Sequence, residues 1–462
     1  MYQIDFQNPL PINFIGIGGI SMSGLAEILL RAGFPVSGSD AQASSLTKRL
    51  EGLGAKIFIG HRAENINRSI GLVIYTAAIR GDNPELAAAR EQNIPLLTRA
   101  ELLGELMANY PDSLAVAGTH GKTSTTSMLT HILLEAGLDP TVSVGGILPS
   151  IGGNIRVGGP KTFLAEACEY KNSFLSLNPK IGIILNVDAD HLDFFKDLDE
   201  IAVSFRKYAE RIPADGTLVI STQTSYLPMI TEGLSCRLVT FGPGGDFDAG
   251  EVSFDKCGFA AFTLLVSGVP KGRIRLHVPG AHNVQNALAA AAAANALGIG
   301  TDAVIAGLEA YTGVDRRFQR KGTFRGADVF DDYAHHPTEI AATLATAKLR
   351  PHGALWVIFQ PHTYSRTKAL LSDFAKALAP ADHVILADIY AAREKDDLGI
   401  SSDNLREEIL ALGTDALYIP SFEGIRDFLA ASVRPGDTIL TVGAGSITSL
   451  SSLLTQDGPA AP

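Results

Sequence analysis

At 462 residues the chain is long enough for about three domains of roughly 100–200 residues each. Its 46% hydrophobic and 19% charged residues, with 46 glycines, suit a turn-rich α/β enzyme and exclude a disordered chain, a collagen or a coiled coil. The formal net charge of −11 argues against nucleic acid and against membranes as partners, so an anionic ligand must be met by a local cluster of cations.

The opening stretch MYQIDFQNPLPINF lacks the basic and apolar halves of a signal peptide. From there to about residue 100, apolar β-rich runs alternate with helical patterns: INFIGIGG, SMSGLAEILLRAG, FPVSGSD, SLTKRLEGLG, AKIFIG, LVIYTAAI, NPELAAAREQN and IPLLT. That rhythm predicts a parallel sheet with right-handed crossovers and a binding crevice at the strand C-termini, a Rossmann-like domain over residues 1–110. Tyr110 and Pro111 read as a linker. A second αβ series, predicted as a P-loop ATPase-type domain over 111–312 with a mostly parallel sheet, begins at SLAVAG. It passes through TFLAEACEY and KIGIILNVDADH to the alanine-rich helix after VPGAHNVQN, whose apolar run is interrupted by Asn286 and Asn295 and is no membrane span. A third, Rossmann-like series over 313–462 contains YTGVDRRFQRKG, ADVFDDYAHHP, ALWVIFQPH, DHVILADIY and DTILTVGAGSI. The fold class is therefore α/β with three domains. Cys168, Cys236 and Cys257 are odd in number and lack metal-type spacing, which points to a reducing, cytoplasmic compartment.

The stretch AVAGTHGKTSTTSMLTHILLEAG is a strand, a glycine-bracketed turn and an amphipathic run. Gly118 and Gly121 let successive N–H groups face one anion, Lys122 adds a full charge, and Thr123 offers a hydroxyl to magnesium, so the turn reads as a triphosphate cradle. It departs from the G-x-x-x-x-G-K-[ST] spacing, since Val116 stands where the first glycine belongs. The run of hydroxyls after Lys122 fits the same reading. GIGGIS also follows a strand and opens a helix; Gly16 and Gly18 fit a dinucleotide fingerprint but Ser21 stands at its third glycine, so it reads as a general pyrophosphate turn with Asp40 placed to accept from sugar or base. Glu166 and His191 are each expected at a strand C-terminus beside the phosphate turn, where they can converge on a magnesium ion. Arg316, Arg317, Arg320 and Lys321, with Asp331, Asp332, His335, His336, His362 and Arg366, suggest a third-domain lid that closes on anions. A plain solvated loop is the alternative for any single one of these residues.

Taken together, GTHGKT, AEACEY, NVDADH, HNVQNA, DRRFQ, DDYAHHP and FQPH, in this order along essentially the whole chain, resemble the Mur ligases, and GIGGISMSG with DDYAHHP resembles their muramate–alanine branch and its tripeptide-recycling cousin. The resemblance implies ATP-dependent joining of L-alanine to the carboxylate of UDP-N-acetylmuramate through an acyl phosphate, with ATP and Mg2+ as cofactors, UDP-N-acetylmuramate and L-alanine as partners, and a monomer or weak homodimer. It further implies that Gly118, Thr119, His120, Gly121, Lys122, Thr123 and Ser124 hold the ATP phosphates, and that Thr123, Glu166 and His191 ligate magnesium. His282, Asn283 and Asn286 would lie by the adenine, and Arg317 and Asp332 would meet the nucleotide. His336 and Arg366 would line the amino-acid side and, with Lys122, Glu166 and His191, serve catalysis. Gly16, Gly18, Gly19, Ile20, Ser21, Asp40, His61 and Thr76 would hold the UDP-sugar. Two positions depart from the family pattern: Thr363 replaces an arginine of FQPHRY, and Cys168 stands where many members have aspartate. A nicotinamide-dependent dehydrogenase would leave the phosphate turn and HNVQN without a role, and a GTPase switch would need an N-K-x-D guanine reader, which NVDADH is not. Adding a tripeptide rather than alanine is the alternative within the family.

Overall fold

The computed structural model describes residues 4–76, 79–191, 194–392 and 394–456. The chain forms two compact units, one comprising residues 1–188, 198–248 and 288–307 and the other 189–197, 249–287 and 308–462. Three mostly parallel sheets realise the expected three-domain α/β fold.

In the first unit, β1 (Ile12–Ile15), β2 (Val36–Asp40), β3 (Lys56–Ile59), β4 (Leu72–Tyr75) and β5 (Leu96–Thr98) form an all-parallel sheet in the order β3-β2-β1-β4-β5. β1 is buried along its whole length because the crossover helices α1 (Ile20–Arg31), α2 (Ser45–Gly52), α3 (Pro84–Glu91) and α4 (Arg99–Met107) cover the sheet. The strand order reverses beside β1, which opens a crevice at the C-terminal edge.

The second sheet of this unit takes β6 (Asp112–Ala117), β7 (Thr141–Leu148), β8 (Gly153–Arg156), β9 (Thr162–Glu166), β10 (Ile181–Ile184), β11 (Thr217–Ser221), β12 (Arg237–Phe241) and the start of β13 (Phe247–Phe254). β6 is central, with β10 and β9 parallel on its two sides. The helix α5 (Lys122–Glu135) follows it, and Met128, Leu129, Ile132 and Leu133 are wholly buried. α5 is thus a core helix with polar residues enclosed, where the sequence suggested an amphipathic one. The helices α6 (Leu198–Ala209) and α7 (Leu227–Thr231) follow β10 and β11.

Tyr110 lies in the connection between α4 and β6, where the sequence places a linker, and it is packed there. It is 7% exposed, its ring lies 4.9 Å from that of Phe163, and its hydroxyl is 3.3 Å from Thr141 Oγ1. The junction is tightened by missing side chains: a Cβ on Gly24 of α1 would fall 2.0 Å from Ile155 Cγ1, and one on Gly104 of α4 would fall 2.0 Å from the Ser176 carbonyl oxygen. The first two sheets therefore share one packed frame.

In the second unit, β14 (Phe259–Val266) and β15 (Val269–Pro279) form an antiparallel hairpin. The alanine-rich α8 (His282–Ala296) starts here, and α9 (Thr301–Ala310) follows it. The third sheet takes β16 (Gln319–Phe324), β17 (Ala327–Asp332), β18 (Leu355–Phe359), β19 (His383–Leu386), β20 (Asp415–Tyr418) and β21 (Thr438–Val442) in the order β16-β17-β21-β18-β19-β20, with β16 alone antiparallel. Its helices include α10 (Pro337–Lys348) and α11 (Tyr364–Ala369). No helix among the described residues is long and apolar enough to cross a membrane.

Candidate active site

The turn after the central strand β6 carries the strongest chemistry. Gly118 (φ 141°) and Gly121 (φ 83°) adopt backbone angles that L side chains rarely reach, and a Cβ on Gly118 would also meet Leu185 at 2.8 Å. Gly121 caps α5, so the first N–H groups of that helix have no partner within it and suit an anion. The turn is clamped from β10's side: Asn186 Oδ1 accepts from the His120 N–H (2.8 Å), Asn186 Nδ2 donates to the His120 carbonyl (3.1 Å), and His120 Nε2 lies 3.1 Å from Asp188 Oδ2.

Lys122 Nζ donates to the carbonyls of Gly118 (2.6 Å) and Thr119 (3.0 Å) and to Glu169 Oε1 (3.1 Å), so all three ammonium protons are engaged. Burial acts to lower the lysine's pKa, but Glu169, Cys168 and Glu166 together outweigh burial and hold the ammonium above its ordinary value. The charge a phosphate needs is permanent here, and a phosphate oxygen must replace one of the present acceptors to use it. Burial, with Glu169 next in effect, raises the neighbouring Cys168 thiol, which keeps it protonated and unreactive.

Thr123 Oγ1 donates to Glu166 Oε2 at 2.9 Å, and the same oxygen accepts the Gly145 N–H at 2.8 Å. A Cβ on Gly145 would lie 2.5 and 2.6 Å from the two Glu166 oxygens, so only glycine leaves the carboxylate its place. One hydroxyl and one carboxylate beside a phosphate turn are hard oxygen donors and fit magnesium. The remaining hydroxyls have another job: Ser127 and Thr130 donate to carbonyls four residues back in α5, and Thr125 and Thr126 are fully buried. Beyond Ser124 the hydroxyl run is helix packing.

His191, expected at a strand end, lies well past β10, in the second unit, with φ 56° and its N–H 2.6 Å from Asp190 Oδ1. Burial disfavours the Asp190 charge, but Arg366, whose Nη2 is 2.7 Å from Oδ1, and the histidines His191 and His335 keep its pKa below the ordinary value. Arg366 is therefore committed to Asp190. His336 is the N-cap of α10: Nδ1 accepts from the Thr338 N–H (3.4 Å) and Nε2 contacts the Ala189 carbonyl (3.0 Å). This ring builds the start of the helix and tethers residue 189. Thr363, in place of the family arginine, caps α11 by accepting from the Arg366 N–H at 3.4 Å.

At the end of β17, Asp332 accepts from the N–H groups of Phe318 (2.7 Å) and Ala334 (2.8 Å). Burial outweighs Arg317 and these bonds and pushes its carboxyl up to about 6. Arg317 also lies 3.8 Å from Glu339, and burial pushes His282, at the start of α8, down to about 4. Asn286 Nδ2 donates to Asn283 Oδ1 (3.0 Å), and Asn283 Nδ2 donates to the Pro279 carbonyl (2.8 Å), which lines these amides along one helix face. The expected reservoir of cations in this unit is largely spent: Arg316 donates to the carbonyls of Gly443 and Gly445, and Arg320 pairs with Asp328 at 2.8 Å. The charges of Arg316 and Arg320 face acids of β17, Asp331 at 3.6 Å and Asp328 at 2.8 Å.

The first sheet gathers the third group of residues. Gly16 (φ 82°), Asp40, His61 and Thr76 stand at the C-terminal ends of β1, β2, β3 and β4, four adjacent parallel strands. Gly19 caps α1, Ile20 is 59% exposed, and Ser21 follows it in the first helical turn, so amides here are open to an anion. Asp40 Oδ2 accepts the Gly18 N–H at 2.8 Å, and a Cβ on Gly18 would fall 2.9 Å from that oxygen. The carboxylate expected to face a sugar thus also braces the turn.

Sequence reasoning missed Glu169, Asn186 and Asp188 as partners of the phosphate turn, although AEACEY and NVDADH contain them. It also missed Gly145, for which no short-range signal exists.

The chain matches the models of the Mur ligase family catalytic domain over residues 11–111, the Mur ligase middle domain over 116–294 and the Mur ligase glutamate ligase domain over 316–445. It is 54% identical over 450 residues to a UDP-N-acetylmuramate–L-alanine ligase of Lachnospira eligens, covering 97% of this chain and 98% of that one. It is 53% identical over 452 residues to the ligase of the same name from Agathobacter rectalis, with 97% and 98% covered. Among solved structures, the UDP-N-acetylmuramate–alanine ligase of Thermotoga maritima superposes with a TM-score of 0.78 at 31% identity, covering 97% of this chain and 98% of that one. A murein peptide ligase of Psychrobacter arcticus gives 0.71 at 25%, with 98% and 100% covered. With all three family domains matched in order along its length, the chain belongs to the Mur ligase family.

Proposed function

We propose that this protein joins L-alanine to the carboxylate of UDP-N-acetylmuramate at the expense of ATP, as a step in peptidoglycan precursor synthesis in the cytoplasm. The observation that carries this reading is the permanently charged Lys122 beside the Thr123–Glu166 pair at the end of β6. Full-length relatives at 54 and 53% identity support alanine rather than a tripeptide as the second substrate. Residues 1–110, 111–312 and 313–462 are taken as the UDP-sugar, ATP and closing domains, working as a monomer or weak homodimer.

The carboxylate is a poor electrophile, so one of its oxygens first attacks the γ-phosphorus and ADP leaves. The acyl phosphate is then attacked by the alanine amine, which loses a proton, and phosphate departs with the former carboxylate oxygen. Phosphoryl transfer is catalysed mainly by positioning and neutralisation of charge. The amides of residues 118–124 and the Lys122 ammonium would hold the phosphates, and Thr123, Glu166 and His191 would hold magnesium. Bound magnesium supplies further positive charge to the phosphate oxygens. Asn283, Asn286 and His282 would flank the adenine, with Arg317 and Asp332 near the nucleotide. Arg366 and His336 would shape the amino-acid side through Asp190 and residue 189. Gly16–Ser21, Asp40, His61 and Thr76 would hold the UDP-sugar.

Phosphate release with UDP-N-acetylmuramate, ATP and magnesium, scanned across amino acids, tests this directly. L-Alanine is expected to stimulate release most, and label from the sugar carboxylate should appear in the phosphate. Stimulation only by the tripeptide, or phosphate free of label, overturns the proposal.

A further inference from the structure

Behind the edge of the first sheet lies a buried polar network that the nucleotide chemistry above does not use. Glu85 is fully buried in the first turn of α3. Its Oε2 accepts from Ser39 Oγ (2.5 Å) and lies 3.0 Å from His61 Nδ1, and its Oε1 accepts from Asn65 Nδ2 (2.6 Å). Asn65 Nδ2 also donates to the Gly60 carbonyl at 3.1 Å, which ties the backbone just before His61 into the network. Ser39 itself is completely buried, whereas the His61 side chain remains 22% exposed at the end of β3.

The protons in this network can be counted. Ser39 Oγ and Asn65 Nδ2 donate to the two oxygens of the Glu85 carboxylate, which lies in the first turn of α3. Ser39 has a single proton, which goes to Glu85, so the Ser39 oxygen 2.9 Å from His61 Nδ1 can only accept. Two acceptors therefore face Nδ1, and Nδ1 must carry the ring proton. In the neutral ring this leaves Nε2 as a bare acceptor, and the tautomer is set from inside the fold.

We propose that Glu85 is a positioning residue for the UDP-sugar: with Ser39 and Asn65 it locks His61 in the Nδ1–H form so that Nε2 accepts a hydrogen bond from the uridine half of the substrate. The inference rests on the reading given under Proposed function, which places His61 at the UDP part. The donor on uridine is either the uracil ring N–H or a ribose hydroxyl. His61 lies beyond Asp40 on the side of β2 away from the Gly16 turn, which favours the base.

Two measurements test the lock. In the native protein, 15N spectra of labelled histidine, assigned by the signal lost in His61→Gln, should show the Nδ1–H tautomer; an Nε2–H tautomer overturns the proposal without any variant at Glu85. In steady-state kinetics, Glu85→Gln should raise KM for UDP-N-acetylmuramate by about tenfold, the worth of about one buried hydrogen bond, and leave kcat and KM for ATP within about twofold. In the His61→Ala background the same change should add nothing to KM, because the two residues act as one unit. Additive effects, or an unchanged KM in Glu85→Gln, refute it. An analogue methylated on the uracil ring nitrogen should lose affinity if the base is the donor, and a 2′-deoxy analogue if the ribose is. If the native chain releases no phosphate with UDP-N-acetylmuramate and alanine, the proposed function fails instead, and the tautomer result still stands alone.

Discussion

Two glycine-rich turns in the first unit follow the same plan, a parallel strand, a left-handed glycine and the mouth of a helix, yet they face opposite charges. The turn at Gly118–Lys122 carries an ammonium held by Glu169 and by its own carbonyls. The turn at Gly16–Ser21 has no lysine, and its Gly18 amide is taken by the Asp40 carboxylate. The shared strand–glycine–helix plan, extended at the Gly19 cap and left-handed at the Gly121 cap, therefore suits the Lys122 turn to neutralising a phosphoryl group in transfer and the Gly16 turn to holding a diphosphate that stays intact. What the turn does is set by the side chain opposite it, not by the glycines.

The contrast can be broken most sharply at Lys122. Lys122→Ala should lower kcat by at least about a thousandfold, near 4 kcal/mol of transition-state stabilisation, while calorimetric binding of the UDP-sugar stays within about twofold. Near-native turnover would make the two turns equivalent. At Gly145, Gly145→Ala places a methyl where the Glu166 oxygens now lie, so a loss of about 10–100-fold is expected, together with a raised magnesium half-saturation. A metal titration identical to that of the parent chain would remove Glu166 from the magnesium site. The smallest effect belongs to the other turn: Asp40→Asn should raise KM for the UDP-sugar by about three- to tenfold and leave KM for ATP unchanged. If KM for ATP rose instead, the division of labour would be wrong.

Much of this could be read in the sequence because the signals are local. Gly118, Gly121 and Gly16 occupy backbone regions that few other residues enter, and the apolar strands before them announce a buried parallel sheet. Glu166 was legible because a lone acid ends an apolar strand. The partners were harder to find. Asn186 holds the phosphate turn across 66 positions, and Gly145 matters only because β7 brings its backbone against a carboxylate 21 positions away. Charge counting misled where each cation meets an acid outside its own motif, as with Arg366 and Asp190, 176 positions apart. Tyr110 is legible as a linker, but its packing is not, because its aromatic partner, Phe163, belongs to the next sheet.

The bare α-carbons of Gly24 and Gly104 make the seam between the first two sheets a keyed joint with no clearance, since each already has a neighbour where its methyl would go. Sheets joined in this way should melt together, as one calorimetric transition, even though each has its own strands and helices. Forcing the key with Gly104→Ala should split that transition in two, and a single unshifted peak would mean that the joint carries no strain.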